Sequence, residues 1–195
     1  LAEVRERELR ASCTALGLAA PAFLDLPDAG VGWASEGAGT LPALVHWIRR
    51  LRPDVILTFG PDGLYGHSDH VAISELTTEA HKLAGTSVTF FEGDAGAAPA
   101  APYNGARLFY PVVPGDAVAR LLSGARDAGI PTSLWRLGPE HFHVTRSQIT
   151  CSVDVTSVLP RKLAALRAHR TQLERDNVLA HLTPALAADF FVSRN

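Results

Sequence analysis

Apolar positions along the chain follow two alternating patterns, one typical of helices and one typical of buried strands. Helical spacing predicts helices over residues 3–16, 41–51, 71–83, 116–127 and 158–175, with Gly17 ending the first and Thr40 capping the second. Short apolar, β-rich runs predict strands over residues 21–26, 55–59, 88–91, 107–113 and 149–155, and an extended segment over residues 134–144. Because strands alternate with helices, we predict an α/β fold with a mainly parallel sheet and right-handed crossovers.

Composition narrows the class of protein. The 195 residues are enough for one domain over 1–195 with a substantial core. The net charge of −2 argues against a nucleic-acid-binding surface, and no apolar run reaches the ~18 residues of a membrane span. Cys13 and Cys151 lack metal-ligand spacing, which favours reduced, structural thiols. No secretory signal is visible, so we expect a cytoplasmic protein; whether it forms a homo-oligomer is left open.

A loop rich in reactive side chains follows the predicted strand 55–59. Gly60-Pro61-Asp62-Gly63 ends that strand, and Gly66-His67-Ser68-Asp69-His70 leads into the next predicted helix. In open α/β sheets, ligands bind outside the carboxyl ends of the strands. Two imidazoles and a carboxylate at this place can bind a metal or move a proton beside one, so we predict a catalytic or metal site.

Plainer interpretations of the same loop stay open. A single histidine is usually a surface or core residue, and Asp69 is also a suitable helix N-cap. The spacing leaves the metal undetermined, because one loop supplies at most two or three ligands and a catalytic zinc needs three plus an open position. Any further ligands have to come from elsewhere in the fold.

This loop and its flanks resemble the zinc-dependent PIG-L/LmbE-like N-acetylglucosaminyl deacetylases. Those proteins carry a Pro-Asp-Val strand, a Gly-rich turn and a His-x-Asp-His loop that opens a helix, as residues 53–70 do. Upstream, residues 5–28 are similar to the family's Arg-x-x-Glu helix and the strand after it. Downstream, residues 149–172 resemble its Ile-Thr…Val-Asp-Val…Lys-x-x-Ala-x-x-x-His-x-Ser/Thr-Gln ending, and residues 189–191 its last aromatic segment. The resemblance spans most of the chain but leaves residues 85–134 unmatched.

The resemblance implies a Rossmann-like three-layer fold, and it also exposes a difference. The family begins with a strand ending in Ala-His-Pro-Asp-Asp-Glu, which supplies a His and an Asp to zinc and a second Asp as general base. This sequence contains no such motif and no Met. We therefore expect that the N-terminal strand is missing from this chain. The alternative is a pseudo-enzyme that has lost half of its metal site.

For the loop itself, the resemblance implies Zn²⁺ as cofactor and a role for each side chain. His70 corresponds to the third zinc ligand, and His67 to the imidazolium beside the tetrahedral intermediate. Asp69 corresponds to the carboxylate that orients His67 and keeps it charged. Tyr65 matches an aromatic hydroxyl that donates a hydrogen bond to the oxyanion in some members. A packing role at the rim of the loop explains the presence of Tyr65 equally well.

Outside the loop, the resemblance implies three substrate-binding residues. Arg5 resembles the family's arginine near the substrate hydroxyls. Alternatively, Arg5 is a solvent-exposed residue on a helix face, because charged residues surround it in the sequence. Asp28 either contacts the sugar or makes a turn. His169 either reaches the pocket from a late helix or supports the structure from outside it.

Three functions are compatible with the sequence. The first is a zinc-dependent hydrolase that removes the acetyl group from an N-acetylglucosaminyl conjugate, a small-molecule aminosugar. The second is a catalytically inactive binding or scaffold domain on the same fold. The third, a nucleotide-binding protein, ranks last because the chain lacks Gly-x-Gly-x-x-Gly and Walker motifs. No basic cluster flanks the loop, so we expect sugar hydroxyls to carry recognition, and substrate choice to lie in residues 93–105.

Overall fold

The computed structural model describes residues 1–24, 26, 39–90 and 100–191. The chain divides into two compact units, one formed by Leu1–Ala22 with Val113–Asn195 and the other by Phe23–Val112. The single deacetylase-like domain over 1–195 stays a prediction. Among the described helices, none has both the length and the hydrophobicity that crossing a membrane requires.

Helices and two short strands alternate along the described chain. In chain order they are α1 (Ala2–Leu16), α2 (Thr40–Leu51), β1 (Val55–Leu57), α3 (Gly63–Gly66), α4 (Ser68–Ala84), β2 (Arg107–Phe109), α5 (Gly115–Asp127), α6 (Leu159–Ala168) and α7 (Pro184–Phe191). Single-turn 3-10 helices lie at Pro139–His141, Arg146–Gln148, Thr156–Val158 and Val178–His181.

The unit Phe23–Val112 contains the sheet and the His-Asp-His loop. Strands β1 and β2 pair in parallel, with Ile56 opposite Leu108, which confirms the α/β class. Helices α2 and α4 pack on each other through a core of buried side chains: Val45, Ile48, Ala80 and Ala84. Both strands are shorter than the predicted 55–59 and 107–113. Pro111, which lacks a backbone N–H, lies inside the second predicted strand and interrupts it.

Arg49 ties the end of α4 to α2. Its guanidinium is buried, with 6% of the residue exposed. Nε donates to the carbonyl of Ala84 at 3.2 Å, and Nη2 donates to the carbonyls of Leu83, Thr86 and Val88 at 3.0, 2.8 and 2.8 Å. These bonds reach two carbonyls of the last turn of α4 and two carbonyls of the segment that follows it, so Arg49 fixes the path of the chain after the helix. The predicted strand at 88–91 is wrong for the described residues 88–90, since Arg49 takes the Val88 carbonyl that a strand ladder would use.

The other unit consists of helices from both ends of the chain. Helix α1 packs on α6, and α7 packs on both α5 and α6. The unit's fully buried apolar side chains include Val118, Leu121, Val178 and Leu182, each at most 2% exposed. Helix α1 ends as predicted at Gly17, which adopts a φ of 74° and caps the helix with its N–H.

Several predicted boundaries are corrected by local hydrogen bonding. Thr40 lies inside α2, whose N-cap is Gly39. The helix predicted over 158–175 begins at Leu159 and ends at Ala168, because His169 leaves the helical region with φ −82° and ψ 56°.

Three predicted extended segments are also corrected. No strand forms at residues 149–155, where the Asp154 carboxylate instead accepts the N–H and hydroxyl of Thr156. The segment 134–144 folds into turns and a 3-10 helix instead of extending. The strand predicted at 21–26 is absent from the part of it that the structure describes, residues 21–24 and 26.

Candidate catalytic site

The site begins with a strained turn between β1 and α4. The carboxylate of Asp62 accepts the Leu64 N–H at 3.1 Å, and Gly63, Leu64 and Gly66 all have positive φ, at 62°, 70° and 85°. Gly63 has no room for a side chain, since a Cβ would lie 2.9 Å from Cγ2 of Val71. Glycine at this position therefore lets the turn approach the first residues of α4.

His67 forms the junction between the turn and α4. It is the N-cap of the helix, and its Nδ1 accepts the backbone N–H of Asp69 at 3.2 Å. The cap interpretation considered for Asp69 is therefore wrong: Asp69 donates its N–H, and its carboxylate lies in the first turn, where the helix dipole favours negative charge. An Nδ1 that accepts a hydrogen bond carries no proton, so the proton of neutral His67 is on Nε2.

His70 is held in one orientation by contacts on several sides. Its ring stacks on Phe59 with centroids 3.7 Å apart, and Tyr65 meets it edge-on at 5.3 Å. The His67 ring lies beside it at 4.7 Å. Nδ1 of His70 lies 3.1 Å from the carbonyl of Gly63. Because that oxygen only accepts, Nδ1 carries the proton and the lone pair of Nε2 is available to a metal.

The surroundings of the loop also set its protonation. Burial lowers the pKa of the His70 imidazole. The hydrogen bond to the Gly63 carbonyl opposes this effect in part, and the nearby His67 and Asp69 make smaller contributions that lower and raise the pKa, respectively. His70 is therefore neutral at pH 7, the form that coordinates metals. Burial raises the pKa of the Tyr65 hydroxyl, so Tyr65 keeps its proton and is a hydrogen-bond donor.

These features suit His70 to one position of a metal site. Over the residues that the structure describes, no group of three or more His, Cys, Asp and Glu side chains is arranged to hold a metal ion. The loop thus provides one prepared imidazole ligand and not a complete ligand set. Zinc as the cofactor stays a prediction.

The Arg-x-x-Glu and His-x-Thr-Gln segments meet within the other unit. The carboxylate of Glu8, on α1, accepts the N–H of Thr171 at 2.8 Å and its hydroxyl at 2.7 Å. Gln172 contacts Nδ1 of His169 through its amide nitrogen at 3.1 Å. Arg5 precedes Glu8 by three residues and shares its face of α1. The elements that carry Arg5 and His169 are therefore joined directly.

Glu8 is a residue that the sequence analysis missed. Burial by itself raises the pKa of its carboxyl, but hydrogen bonds from Thr171 and Gln172 and the charge of His169 outweigh it and hold the pKa below its ordinary value. The signal was present in the sequence, because a carboxylate in a helical Arg-x-x-Glu motif needs a partner when it is buried.

The predicted site residues divide as follows. Tyr65, His67, Asp69 and His70 lie together on the loop and first turn of α4, whereas Arg5 and His169 belong to the unit of α1 and α6. Asp28 and residues 93–99 of the predicted specificity loop lie outside the described residues. The chemical roles of all seven predicted residues stay predictions.

Known proteins similar to this chain share one activity in their names. Residues 1–81 match the family described as PIG-L, GlcNAc-PI de-N-acetylase. Three relatives are called 1D-myo-inositol 2-acetamido-2-deoxy-alpha-D-glucopyranoside deacetylase. The one from Thermomonospora curvata is 34% identical over 196 residues, covering 89% of this chain and 61% of the relative. The one from Kineococcus radiotolerans is 35% identical over 206 residues, covering 90% and 54%.

The third, from Mycolicibacterium smegmatis, is 33% identical over 190 residues, covering 87% of this chain and 59% of the relative. The chain thus spans between 54% and 61% of the length of these three relatives. The family match over residues 1–81 includes the His-x-Asp-His loop. The chain belongs to the PIG-L/LmbE-like family.

Proposed function

We propose that this chain is part of a zinc-dependent N-deacetylase that hydrolyses the acetamide of an N-acetylglucosaminyl conjugate. The observation that carries the proposal is the pair His67 and His70, whose hydrogen bonds give the two rings opposite tautomers 4.7 Å apart. The relatives' names specify a 2-acetamido-glucopyranoside of inositol, and we propose the same substrate class here. A Rossmann-like three-layer arrangement and a cytoplasmic location are part of the proposal.

His70 is the metal-binding residue of the proposed mechanism. Its Nδ1–H is held by the Gly63 carbonyl at 3.1 Å, so Nε2 can bind zinc without a change of tautomer. When bound, zinc supplies Lewis acidity toward the amide oxygen and lowers the pKa of a coordinated water. Because the described residues contain no assembled group of three ligands, the proposal needs at least part of the ligand set from residues outside them.

His67 and Tyr65 are the proposed groups that stabilise charge and move protons. As an imidazolium, His67 can donate a hydrogen bond from Nε2–H to the developing oxyanion and then transfer that proton to the leaving amine, which leaves a neutral imidazole. The Tyr65 hydroxyl, which keeps its proton, is a second donor. The proposed role of the Asp69 carboxylate is to orient His67 in its charged form; in the structure the backbone N–H of Asp69, and not the carboxylate, contacts Nδ1 of His67. In an imidazolium Nδ1 carries a proton and cannot accept the Asp69 N–H, so a charged His67 does not cap α4 through this hydrogen bond.

Arg5, Asp28 and His169 are the proposed substrate-binding residues. Arg5 and His169 lie on segments joined by the Glu8–Thr171 hydrogen bonds, and a guanidinium and an imidazole suit sugar hydroxyls as partners. A site that expects hydroxyl partners rejects analogues without them, because its buried polar groups are left unpaired. We therefore propose that sugar hydroxyls carry recognition.

A second candidate is a binding domain without catalysis. The lack of a three-ligand group among the described residues favours it. The two proposals differ in one measurable property, the release of acetate.

The deciding experiment measures acetate released by zinc-loaded protein from the complete gene. The substrates are N-acetylglucosaminyl-inositol, N-acetylglucosamine and an acyclic N-acetyl amine. We expect the aminosugars to be hydrolysed faster than the acyclic amine, with the inositol conjugate fastest. Faster turnover of the acyclic amine refutes the sugar assignment, and no acetate from any substrate favours the binding domain. Replacement of the exposed His143 by Ala serves as a control that leaves activity unchanged.

A further inference from the structure

Within the unit Phe23–Val112, the imidazole of His70 lies flat against the ring of Phe59. The two ring centroids are 3.7 Å apart and the two planes differ by only 4°. Aromatic pairs prefer edge-to-face or offset arrangements with more widely separated centroids, and Tyr65 meets the same imidazole in that way, at 5.3 Å and 74°. The close, parallel contact with Phe59 is therefore imposed by the backbone that carries the two rings.

The backbone holds Phe59 in place on both sides. The N–H of Thr58 donates to the carbonyl of Phe109 at 3.2 Å, which continues the pairing with β2 past the end of β1. The N–H of Gly63 donates to the carbonyl of Gly60 at 2.9 Å and closes the turn directly after Phe59. Because the strand and the turn both fix its backbone, Phe59 has little freedom to move away from His70.

Phe59 and the Gly63 carbonyl restrain different motions of the His70 ring. The contact between Nδ1 and the Gly63 carbonyl, at 3.1 Å, fixes the tautomer and opposes a flip of the ring. The stack fixes the plane of the ring, because a tilt would drive the imidazole atoms into the face of Phe59. Both restraints come from the segment 59–63, so one short turn sets the plane, the orientation and the tautomer.

Parallel stacking also leaves the coordinating nitrogen accessible. A neutral imidazole binds a metal through a nitrogen lone pair that lies in the plane of the ring. A stacked ring covers one face of the imidazole and not its edge, where Nε2 lies. Phe59 therefore restrains the ligand without occupying the position of a metal.

We propose that Phe59 is a positioning residue that prepares His70 for metal binding by fixing the plane of its imidazole. The inference rests on the proposed function, in which His70 is a zinc ligand. A ligand that is already held in its bound orientation loses less freedom when the metal binds, and the metal is bound more tightly for that reason. Phe59 has no group that binds metal, so its whole effect passes through His70.

The first test measures the zinc Kd of Phe59→Leu and Phe59→Tyr by competition titration on protein from the complete gene. Leucine keeps an apolar side chain but removes the flat face, so the imidazole is freer in the metal-free protein. Restricting one mobile side chain weakens binding about two- to tenfold, and we expect the zinc Kd of Phe59→Leu to rise about fivefold. Phe59→Tyr keeps the aromatic face and is expected to keep the wild-type Kd.

Phe109→Leu is the matched control. Phe109 ends the neighbouring strand β2, is partly buried like Phe59, and has its ring centroid 5.9 Å from the guanidinium carbon of Arg107. We expect this variant to bind zinc like wild type, and urea midpoints of all variants separate zinc affinity from stability. An unchanged Kd in Phe59→Leu, or equal weakening in Phe109→Leu, overturns the proposal. So does a Phe59→Tyr variant that is as stable as wild type but binds zinc as weakly as Phe59→Leu.

The second test uses metal-free protein and requires no catalysis. The ring current of Phe59 shifts the NMR signals of the stacked His70 ring protons upfield. We expect these signals to move downfield in Phe59→Leu and to stay in place in Phe109→Leu, while Nδ1 of His70 remains protonated because the Gly63 carbonyl sets the tautomer. Ring-proton shifts that are the same in wild type and Phe59→Leu overturn the proposal.

These measurements distinguish failure of the positioning role from failure of the proposed function. A wild type that binds zinc but releases no acetate contradicts the proposed hydrolysis alone. A wild type that binds zinc and releases acetate, with the same zinc Kd in Phe59→Leu, contradicts the positioning role alone. A wild type that binds no zinc contradicts both.

Discussion

Replacing Arg49 by methionine removes the side chain that joins the end of α4 to α2 while keeping much of its apolar stem. Four carbonyls lose the Arg49 donor: those of Leu83, Ala84, Thr86 and Val88. The carbonyls of Leu83 and Ala84 still accept the N–H groups of Thr86 and Tyr103. Helix α4 begins at the His67–His70 site, so the perturbation acts at the opposite end of the helix that carries the proposed chemistry.

The magnitude follows from the number of bonds and from the burial of the guanidinium. A hydrogen bond from a charged donor contributes about 1.5–3 kcal/mol. The desolvation of Arg49 offsets part of this sum, and such contributions are not additive. We therefore expect the free energy of unfolding to fall by about 3 kcal/mol, within the range for lost buried polar networks. With a urea m-value of about 2 kcal/mol/M, the midpoint falls by about 1.5 M.

Urea unfolding followed by circular dichroism measures this midpoint. Arg50→Met is the matched control, because Arg50 is exposed and its guanidinium carbon lies 5.9 Å from the Trp47 ring centroid. Loss of this contact between Arg50 and the Trp47 ring is expected to lower the free energy of unfolding by less than about 1 kcal/mol. A midpoint for Arg49→Met that is no lower than that of Arg50→Met refutes the reasoning.

Two further predictions concern the glycine behind His70 and the buried carboxylate. Gly63→Ala displaces the carbonyl that fixes His70 and is expected to weaken zinc binding at least about tenfold in a competition titration. Gly66→Ala is the control: a Cβ there meets open space, so this variant shows the effect of a side chain at positive φ without a steric clash. The lowered pKa of Glu8 stabilises the fold above the ordinary carboxyl pKa of about 4.3, and this contribution is lost as pH falls through the folded-state pKa. The urea midpoint of Glu8→Gln should therefore lie below that of wild type at pH 7, and the gap should narrow as the pH falls below the ordinary carboxyl pKa, because hydrogen bonds from Thr171 to a charged carboxylate are stronger than those to a neutral group; a gap that does not change with pH contradicts this.

The sequence predicted those parts of the fold that depend on neighbours in the chain. The helical face of α2, the Gly17 end of α1 and the position of the His67–His70 loop before a helix all follow from local spacing and backbone preference. The chemistry of the loop was predictable for the same reason, since its side chains lie within a few consecutive residues.

The remaining features depend on contacts between distant residues. Glu8 and Thr171 are 163 residues apart, and they are hydrogen-bonded just after α6 ends at Ala168. The apolar periodicity alone predicted that this helix continues to residue 175. Arg49 takes the Val88 carbonyl from a predicted strand in the same way. The tautomers of His67 and His70 depend on backbone groups in a strained turn, which apolar patterning does not reveal.

The central claim is that His67 and His70 serve one hydrolytic site with different tasks. Zinc content and kcat for N-acetylglucosaminyl-inositol, measured on the same samples of wild type, His67→Ala and His70→Ala, test it most directly. The account predicts that His67→Ala keeps its zinc and loses about 10²–10³ in kcat, the usual contribution of an oxyanion donor or general acid, whereas His70→Ala loses the metal. Equal loss of zinc in both variants, or an unchanged kcat in His67→Ala, contradicts it.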